Sequence, residues 1–427
     1  MKKARFSLLI LMIVGAIVFG LLIHFYGYEN TFRIWNIHVY MPFLDLRLIT
    51  GGAESFRLGN DPTISNPGDP LSRTFNYPKI WYLLFGLGIN QTWTVSLGIV
   101  IIGLFLVSVY LFPGKLTGLS TWFISFALVS SAAMLAFARV NVDMFFFVIM
   151  AISLYLVDVS AVSSFVILLI AILFRIIPVL GAGFFMDRVR NSSLKFISGA
   201  ILFTSLYFVL AWSDMVFIFN STQKGYDSSY GVAVLPYYLK QLVHNPEIQA
   251  GPYFFYRIIS ILNSRLIHYP YIPYVIAGLL LVFFSYLGLQ RRNQFEEGDL
   301  RNLRAFWIGA GIYIGTFFIG NNWDYRLIFL IFTLPQLSDW LTQKNPVTKR
   351  VAIFTLIMLF WSLWYLVIRA LMARAIFFGS YVAPLVDEAA NWALFAALTY
   401  LFAFSLPGWI FEDLRSLFGK VTPTRPE

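Results

Sequence analysis

The residues of this sequence that could do chemistry are carboxylates and arginines in short polar stretches between long apolar runs. In the first such stretch, Asp45 precedes Arg47 by two residues. A carboxylate beside a cation stays ionised, and it could serve as a general base that takes a proton from a hydroxyl group. The alternative is an interfacial salt bridge, because an Asp and an Arg at this spacing are common on any loop. The residues alone leave both interpretations open.

Three arginines, Arg139, Arg175 and Arg326, stand at or inside the ends of apolar runs. An arginine in such a place is costly without a partner, and its guanidinium matches a phosphate group in charge and geometry. Polar residues beside two of the arginines mark expected helix N-termini, which also favour anions. The sequence therefore predicts a lipid-phosphate site. These polar neighbours are Asn141, Asp143, Asp324 and Tyr325. For Asn141, capping of a helix is the alternative role.

Arg175 interrupts an apolar segment, residues 162–186, that also contains Pro178. Two half-helices that rise and return, with Arg175 at the apex, would keep the arginine in protein rather than in lipid. Such a re-entrant pair also leaves the later basic loops in the cytoplasm, as the positive-inside rule requires. The arginine would then contact the phosphate, or it would pair with an acidic residue such as Asp143.

Several kinds of chemistry are excluded or disfavoured by what the sequence lacks. With 0 Cys, thiolate zinc sites, iron–sulfur clusters and cysteine nucleophiles are impossible. The 4 His are too scattered for a zinc-binding helix, and no phosphate-cradling glycine pattern occurs. Asp61 and Asp69 precede prolines, so we expect them to form turns rather than hold a metal. The net charge of +10 is spread over loops between apolar runs, which argues against nucleic-acid binding.

Composition places the chain in a membrane. Of its 427 residues, 59% are hydrophobic and only 12% are charged, which excludes a soluble globular protein. Apolar runs near the length of a membrane-spanning helix predict an all-α polytopic protein with about ten crossings. The runs cover residues 6–26, 93–112, 119–137, 144–158, 194–212, 272–289, 305–319, 327–341, 351–370 and 389–410.

The predicted topology is a single integral membrane domain, residues 1–427, with both termini in the cytoplasm. Basic residues concentrate in the loops that this arrangement leaves inside. Two long segments are then external, residues 27–92 and 213–271. The first of them mixes aromatic residues with charges, as interfacial helices do. Polar and aromatic residues gather on this side, so we expect the chemistry there.

The order of the polar motifs is similar to that of a known enzyme family. The motifs are Asp45, Gly59-Asn60-Asp61-Pro62, Phe75-Asn76-Tyr77-Pro78, Arg139-Val140-Asn141-Val142-Asp143, Arg175 with Pro178, and Asp324-Tyr325-Arg326. This arrangement resembles the GT-C superfamily of membrane glycosyltransferases. It is most similar to glycosyltransferase family 87, whose members include polyprenyl-phosphomannose-dependent mannosyltransferases. The resemblance covers roughly residues 1–340.

The resemblance implies a GT-C-like bundle and a hexosyltransferase of the plasma or inner membrane, with its active site on the external face. The enzyme would move a monosaccharide, with inversion, from a polyprenyl-phosphate donor to a lipid-linked or polysaccharide acceptor, without metal or cofactor. Asp45 aligns with the family's catalytic carboxylate, and the three arginines would bind the donor phosphate. The other motif residues are expected to bind substrate: Arg47, Asn76, Tyr77, Asn141, Asp143, Asp324 and Tyr325. Beyond its substrates, only membrane lipids are expected as partners.

Other functions stay open at this point. A transporter or flippase for a lipid-linked glycan would also use broken helices with a buried arginine. An O-antigen ligase or polymerase would use a large external loop, and a structural scaffold would need no site at all. Interruptions do not recur at matching positions in two halves of the sequence, and external loops of about sixty residues exceed what a carrier needs. We therefore favour transfer chemistry.

Overall fold

A computed structural model of the chain describes residues 2–187, 190–249, 253–296, 298–376, 378–410 and 413. This part of the chain is almost entirely helical, as the sequence predicts. The second predicted external loop, residues 213–271, includes residues 250–252, which lie outside the described residues.

The α-helices of the first half of the chain precede the second long loop. They are α1 (Lys2–Tyr26), α2 (Tyr28–Arg33), α3 (Leu44–Arg57), α4 (Tyr82–Phe85), α5 (Thr94–Tyr110), α6 (Gly118–Leu128), α7 (Ser131–Arg139), α8 (Asp143–Leu156), α9 (Ala161–Phe174) and α10 (Arg190–Leu210). Short 3₁₀ helices cover Lys79–Trp81 and Gln91–Trp93. A longer one covers Ile177–Phe185 and is called the first 3₁₀ segment.

The α-helices of the second half lie in the second long loop and in the C-terminal part of the chain. They are α11 (Trp212–Ser221), α12 (Val234–Val243), α13 (Pro246–Gln249), α14 (Tyr253–His268), α15 (Ile272–Gln290), α16 (Leu300–Ile319), α17 (Leu334–Thr342), α18 (Pro346–Leu363), α19 (Tyr365–Ala375) and α20 (Gly379–Phe404). A short 3₁₀ helix covers Arg292–Gln294, and the second 3₁₀ segment covers Asp324–Thr333. Two short strands are β1 (Ser229–Tyr230) and β2 (Asn322–Trp323).

Six of the described helices are long and apolar enough to cross a membrane: α1, α5, α10, α15, α16 and α18. A seventh crossing would be the pair α6 and α7, which are bent by 53° relative to each other. The structure therefore supports a membrane protein with six or seven candidate spans in its described part. The predicted number of about ten is not confirmed.

The difference arises because several apolar runs do not form one long helix. The run 144–158 forms α8, whose 14 residues are about 21 Å long, shorter than a hydrocarbon core of about 30 Å. The run 327–341 is divided between the second 3₁₀ segment and α17. The last run lies in α20, which is long but carries Asp387 and Glu388.

α16 is the central helix of the structure. It packs against both 3₁₀ segments, α17 and α20. Its most apolar stretch is 72% buried inside the protein, whereas that of α1 is only 6% buried. α16 therefore belongs to the protein core, and α1 presents its apolar surface outward, as a helix in contact with lipid does.

The chain reverses direction at Arg175. α9 ends just before this residue, whose backbone is extended, and the first 3₁₀ segment follows. Asp158, before α9, and Asp187, after the 3₁₀ segment, both pair with the Arg304 side chain of α16. The two ends of the segment therefore meet at one end of the bundle, and Arg175 lies a helix length away at the other, which we call the site end. The chain therefore rises and returns between Asp158 and Asp187, with a 3₁₀ helix as its second arm, and re-entry of this segment into a membrane stays a prediction.

The second long loop reaches the site end through a two-stranded sheet. β1 and β2 are antiparallel, with Tyr230 opposite Asn322 and Ser229 opposite Trp323. Helices α12–α14 form a small apolar cluster of their own, which includes Tyr238 and packs against α20. The pairing fixes β1 directly beside the start of the second 3₁₀ segment, where the Asp324-Tyr325-Arg326 motif begins.

The first long loop folds back on α3. The backbones of Gly51 and Gly68 approach so closely that a Cβ atom on Gly51 would lie 2.6 Å from the Gly68 carbonyl group. Only glycine permits this approach. It places the turn that contains Asp69 and Arg73 against the helix that carries Asp45.

The predicted topology can be tested with single cysteines, because the chain has 0 Cys. Ser65 in the first loop and Lys344 between α17 and α18 are both exposed. We expect Ser65→Cys to react with a membrane-impermeant maleimide in intact cells, and Lys344→Cys to react only after lysis. The reverse pattern of labelling would show that the first loop is cytoplasmic.

Candidate active site

Asp45 lies in the first turn of α3 and is buried. Arg139 Nε donates a hydrogen bond to each carboxylate oxygen at 3.0 Å, and Arg139 Nη2 donates to Oδ1 at 2.6 Å. Asn141 Nδ2 donates to Oδ2 at 2.8 Å. Both oxygens of the carboxylate are therefore held by the turn between α7 and α8.

The cation that holds Asp45 is Arg139 rather than the neighbouring Arg47. Arg47 Nε donates to the Pro42 carbonyl oxygen at 2.9 Å, and its Nη1 donates to Gln91 Oε1 at 3.1 Å. The physical reason is that α3 is a helix, in which side chains two residues apart do not face each other. A role of Arg47 in substrate binding stays a prediction.

Asn141 makes the capping contact that the sequence offered as its alternative role, and it also holds Asp45, while its predicted role in substrate binding stays a prediction. Its Oδ1 accepts a hydrogen bond from the backbone N–H of Asp143 at 3.0 Å, at the start of α8. Its Nδ2 donates to Asp45, as described above. The preceding residue, Val140, has a left-handed backbone with φ of 42°. This tight turn links the carboxylate of Asp45 to that of Asp143 through one amide side chain.

Asp143 is fully buried and is shared by two arginines. Arg175 Nε lies 2.9 Å from Oδ1, and Arg326 Nε donates to Oδ2 at 3.0 Å. Arg326 also donates to the side chain of Asn322. The pairing of Arg175 with Asp143 that the sequence left open is thus observed. It leaves one carboxylate facing two guanidinium groups, so the pocket keeps a positive charge.

Two buried tyrosines lie against these arginines. The Tyr77 ring centroid is 5.6 Å from Arg175 Cζ, and the Tyr325 ring centroid is 5.8 Å from Arg326 Cζ. Cation–π contact stabilises an arginine without neutralising it. Asn76, which precedes Tyr77, is half-buried. The structure therefore brings motifs from four separate regions of the chain to the site end.

A fourth arginine, which the sequence analysis did not select, completes the cluster. Arg73 Nη2 lies 2.8 Å from Asp69 Oδ1, and Arg73 Nη1 lies 3.7 Å from Asp45 Oδ1. The cluster then contains four arginines and three carboxylates, so its formal charge has one positive charge in excess. Its members are Arg73, Arg139, Arg175, Arg326, Asp45, Asp69 and Asp143. Only the folding of the first loop onto α3 reveals the role of Arg73.

The electrostatic surroundings keep Asp45 ionised. Burial alone would raise the pKa of this carboxyl group, but the charge of Arg139 and the hydrogen bonds from Arg139 and Asn141 outweigh burial. The pKa of Asp45 therefore lies below its ordinary value. At neutral pH the Asp45 carboxylate is therefore deprotonated and forms an ion pair with the Arg139 guanidinium group.

A second group of carboxylates lies buried beside the cluster. Neither oxygen of Asp324 has a hydrogen-bond partner within the described residues, and Glu388 lies close enough for the charges of the two groups to repel. Asp387, in α20, is close enough to both for their charges to repel. Burial raises the pKa of Asp324 well above its ordinary value. The signal that the sequence offered for Asp387 and Glu388 was two adjacent acids at the start of the last apolar run.

The two acidic residues that we expect to form turns, Asp61 and Asp69, have partners within the first loop. Asp61 Oδ1 accepts hydrogen bonds from the Thr63 backbone N–H at 2.9 Å and from Tyr82 Oη at 2.7 Å, and Asp69 pairs with Arg73. This is the behaviour of turn-forming residues. Across the described residues, no three His, Asp or Glu side chains are arranged to hold a metal ion.

Comparison of the chain with protein-family models, with curated proteins and with solved structures finds no match. The similarity to a glycosyltransferase family therefore rests on the order of the motifs. The functional proposal rests on the geometry of the ion-pair cluster.

The lowered pKa of Asp45 makes a prediction about stability and pH. Because the folded-state pKa lies below the ordinary value of 3.8, the Asp45–Arg139 pair contributes its full stability above about pH 5. The contribution falls as pH drops below 3.8 and is lost once pH passes the folded-state pKa. We expect the wild type in detergent to have a higher Tm than Asp45→Asn above about pH 5, and this difference to shrink as pH falls below 3.8. A difference that is unchanged down to pH 2.5 would contradict it.

Proposed function

We propose that the protein is a membrane glycosyltransferase that moves a monosaccharide from a polyprenyl-phosphate donor to an acceptor hydroxyl group. The proposal includes a GT-C-like bundle in the plasma or inner membrane, an external active site and inversion at the anomeric carbon. The observation that carries it is the buried cluster in which Asp45 and Asp143 face four arginines. A scaffold has no use for an excess positive charge that is buried in this way.

The charge of the cluster suits the donor. A polyprenyl phosphate joined to a sugar is a phosphodiester with one negative charge, and the cluster has one positive charge in excess. Arginine guanidinium groups bind phosphate oxygens through paired hydrogen bonds. When the sugar leaves, the second negative charge develops on the phosphate, where Arg175 and Arg326 can stabilise it. This supports the assignment of Arg139, Arg175 and Arg326 to the donor phosphate.

The proposed reaction needs one base and no further reactant. The acceptor oxygen attacks the anomeric carbon and loses its proton to the Asp45 carboxylate. The bond between the anomeric carbon and the phosphate oxygen breaks, and its electron pair leaves with the polyprenyl phosphate. Because attack and departure occur on opposite faces of the sugar, the configuration inverts. No step requires a metal ion.

A base with a lowered pKa accepts a proton poorly, so the resting cluster must change when donor binds. A phosphate bound to Arg139 would compete with Asp45 for the same guanidinium hydrogens. Because the pair between Asp45 and Arg139 is then weaker, the effect of burial would outweigh it. Burial would raise the pKa of Asp45 toward neutral pH. In this proposal the donor itself activates the base, and without donor the carboxylate remains held.

A flippase for a lipid-linked glycan is the second candidate, and one observation favours it. Both 3₁₀ segments, of 9 and 10 residues, pack against α16, and long 3₁₀ stretches often mark hinges. A flippase would translocate the donor without breaking its glycosidic bond. Incubation with a radiolabelled polyprenyl-phosphate sugar separates the two, because only a transferase releases free polyprenyl phosphate in the presence of acceptor.

Asp45→Asn should abolish transfer while the protein stays folded. The amide keeps the shape and the hydrogen bond from Asn141 but cannot accept the proton, so we expect a loss of about 100-fold or more. The measurement is sugar transfer in membranes, alongside Tm in detergent. Glu29→Gln makes the same change at an exposed residue of the same loop and should have no effect. Near-normal turnover of Asp45→Asn would move the base to Asp143 or Asp324.

Arg175→Met distinguishes a phosphate contact from a structural pair. A lost phosphate contact weakens donor binding and transfer. A lost structural pair destabilises the protein by about 3–5 kcal/mol, because Asp143 then keeps one guanidinium partner fewer. We expect both donor affinity and Tm to fall, since one side chain has both roles. Arg33→Met, which removes an exposed arginine, should change neither. Unchanged donor affinity together with a large fall in Tm would reject the phosphate role.

A further inference from the structure

A cavity of about 150 Å³ opens between the first long loop and α11. Its lining is mostly polar on the loop side and on α11, with one phenylalanine. The lining residues are Thr63, Tyr77, Lys79, Ser213, Asp214 and Phe217. Of these residues only Tyr77 belongs to a motif expected to bind substrate, and α11 contains no such motif.

The inner wall of the cavity is the outer wall of the arginine cluster. Tyr77 lines the cavity with its buried ring, and the same ring lies 5.6 Å from Arg175 Cζ. The next turn of the loop is held beside Arg175, because Trp81 Nε1 donates to the carbonyl oxygen of the preceding residue, Phe174, at 3.1 Å. A group in the cavity is therefore separated from the Arg175–Asp143 pair by one side chain.

Exposed apolar side chains stand close in sequence to the residues that line the cavity, on the loop and on α11. Leu83 and Leu87 follow the loop wall and are 74% and 72% exposed. Trp212 and Phe219 on α11 are also largely exposed. α11 follows α10, one of the candidate membrane spans, at its site end. Exposed apolar residues beside the end of a span are expected at the membrane interface, so the cavity opens toward lipid.

The polar part of the opening can recognise a phosphate and a sugar. Lys79 is exposed at the rim, where an ammonium group attracts an anionic headgroup. Only one hydrogen bond joins the two rims within the described residues, from the Lys79 backbone N–H to Asp214 Oδ2 at 3.3 Å. The hydroxyl groups of Thr63 and Ser213 and the Asp214 carboxylate are suited to sugar hydroxyls. One weak link between the rims permits them to separate.

We propose that this cavity is the lateral entry and headgroup site for a single-chain lipid phosphate, which enters from the outer leaflet. The phosphate would pass Lys79 to reach Arg175, and the isoprenoid chain would remain between the exposed residues of the loop and those of α11. The identity of the lipid as the sugar donor rests on the proposed function. The location of the site rests on the cavity and its surroundings alone.

Photocrosslinking tests the location without requiring catalysis. In this Cys-free chain, Phe217→Cys is labelled with a benzophenone maleimide, and Leu279→Cys on the exposed surface of α15 is the matched control. Each protein is irradiated in vesicles with radiolabelled polyprenyl phosphate. We expect crosslinking at position 217 to fall about tenfold or more under excess unlabelled polyprenyl phosphate, as mass action requires of a saturable site. Crosslinking at position 279 should remain unsaturable.

The competitors distinguish the source of the phosphate. Inorganic phosphate and phosphatidylglycerol should not reduce crosslinking at position 217. Equal competition by either would show a free-phosphate site or a general anionic surface, and would overturn the proposal. So would labelling at 217 that behaves like the control at 279. If Phe217→Cys folds poorly, Ser213→Cys gives the same readout, because Ser213 lines the same cavity one helical turn earlier on α11.

The outcome is separable from that of the proposed function. Saturable crosslinking in a protein that releases no sugar from a polyprenyl-phosphate donor would support the entry site and contradict the proposed transferase function. Sugar transfer with unsaturable crosslinking at both positions would support the transferase function and contradict the proposed entry site.

Discussion

The buried carboxylate of Asp143 is the group on which the site end depends. It begins α8, and it accepts Arg175 from the break after α9 and Arg326 from the second 3₁₀ segment. An ionised carboxylate in the protein interior is stable only when it is paired, and a buried arginine likewise. Three segments that are distant in sequence are therefore held at one point. The break at Arg175 is tolerated because the arginine finds its partner there.

A second group of ion pairs, centred on the buried side chain of Arg304, fixes the opposite end of the same segments. Arg304, near the start of α16, pairs with Asp158 and Asp187, which stand before α9 and after the first 3₁₀ segment. The chain between them must rise and return within the length of one short helix. The two ion-pair groups thus hold α8, α9 and the 3₁₀ segment against α16. Polar contacts at both ends set the direction of an otherwise apolar hairpin.

The hydrophobic pattern predicted helices correctly, but it predicted about ten membrane spans where the described part of the chain has six or seven candidates. Apolar composition does not distinguish a helix that faces lipid from one that faces protein, because both surfaces favour the same side chains. α1 and α16 have similar lengths, yet one is outward-facing and the other is core. Runs such as 144–158 and 327–341 are apolar since they pack against α16 and its neighbours. Their short or divided helices follow from that packing, which hydropathy does not contain.

The sequence by itself determined the helical class, the break at Arg175 with Pro178 beyond it, and the motifs that contain Asp45 and Asp143. These are local properties, set by side-chain polarity, proline geometry and the spacing of apolar residues. Tertiary structure alone decided that the partner of Asp45 is Arg139, 94 residues away, and that Asp324 is buried beside the acids of α20. An ion pair depends on distance in space, and for these residues only the packing of α3, α7 and α20 fixes that distance.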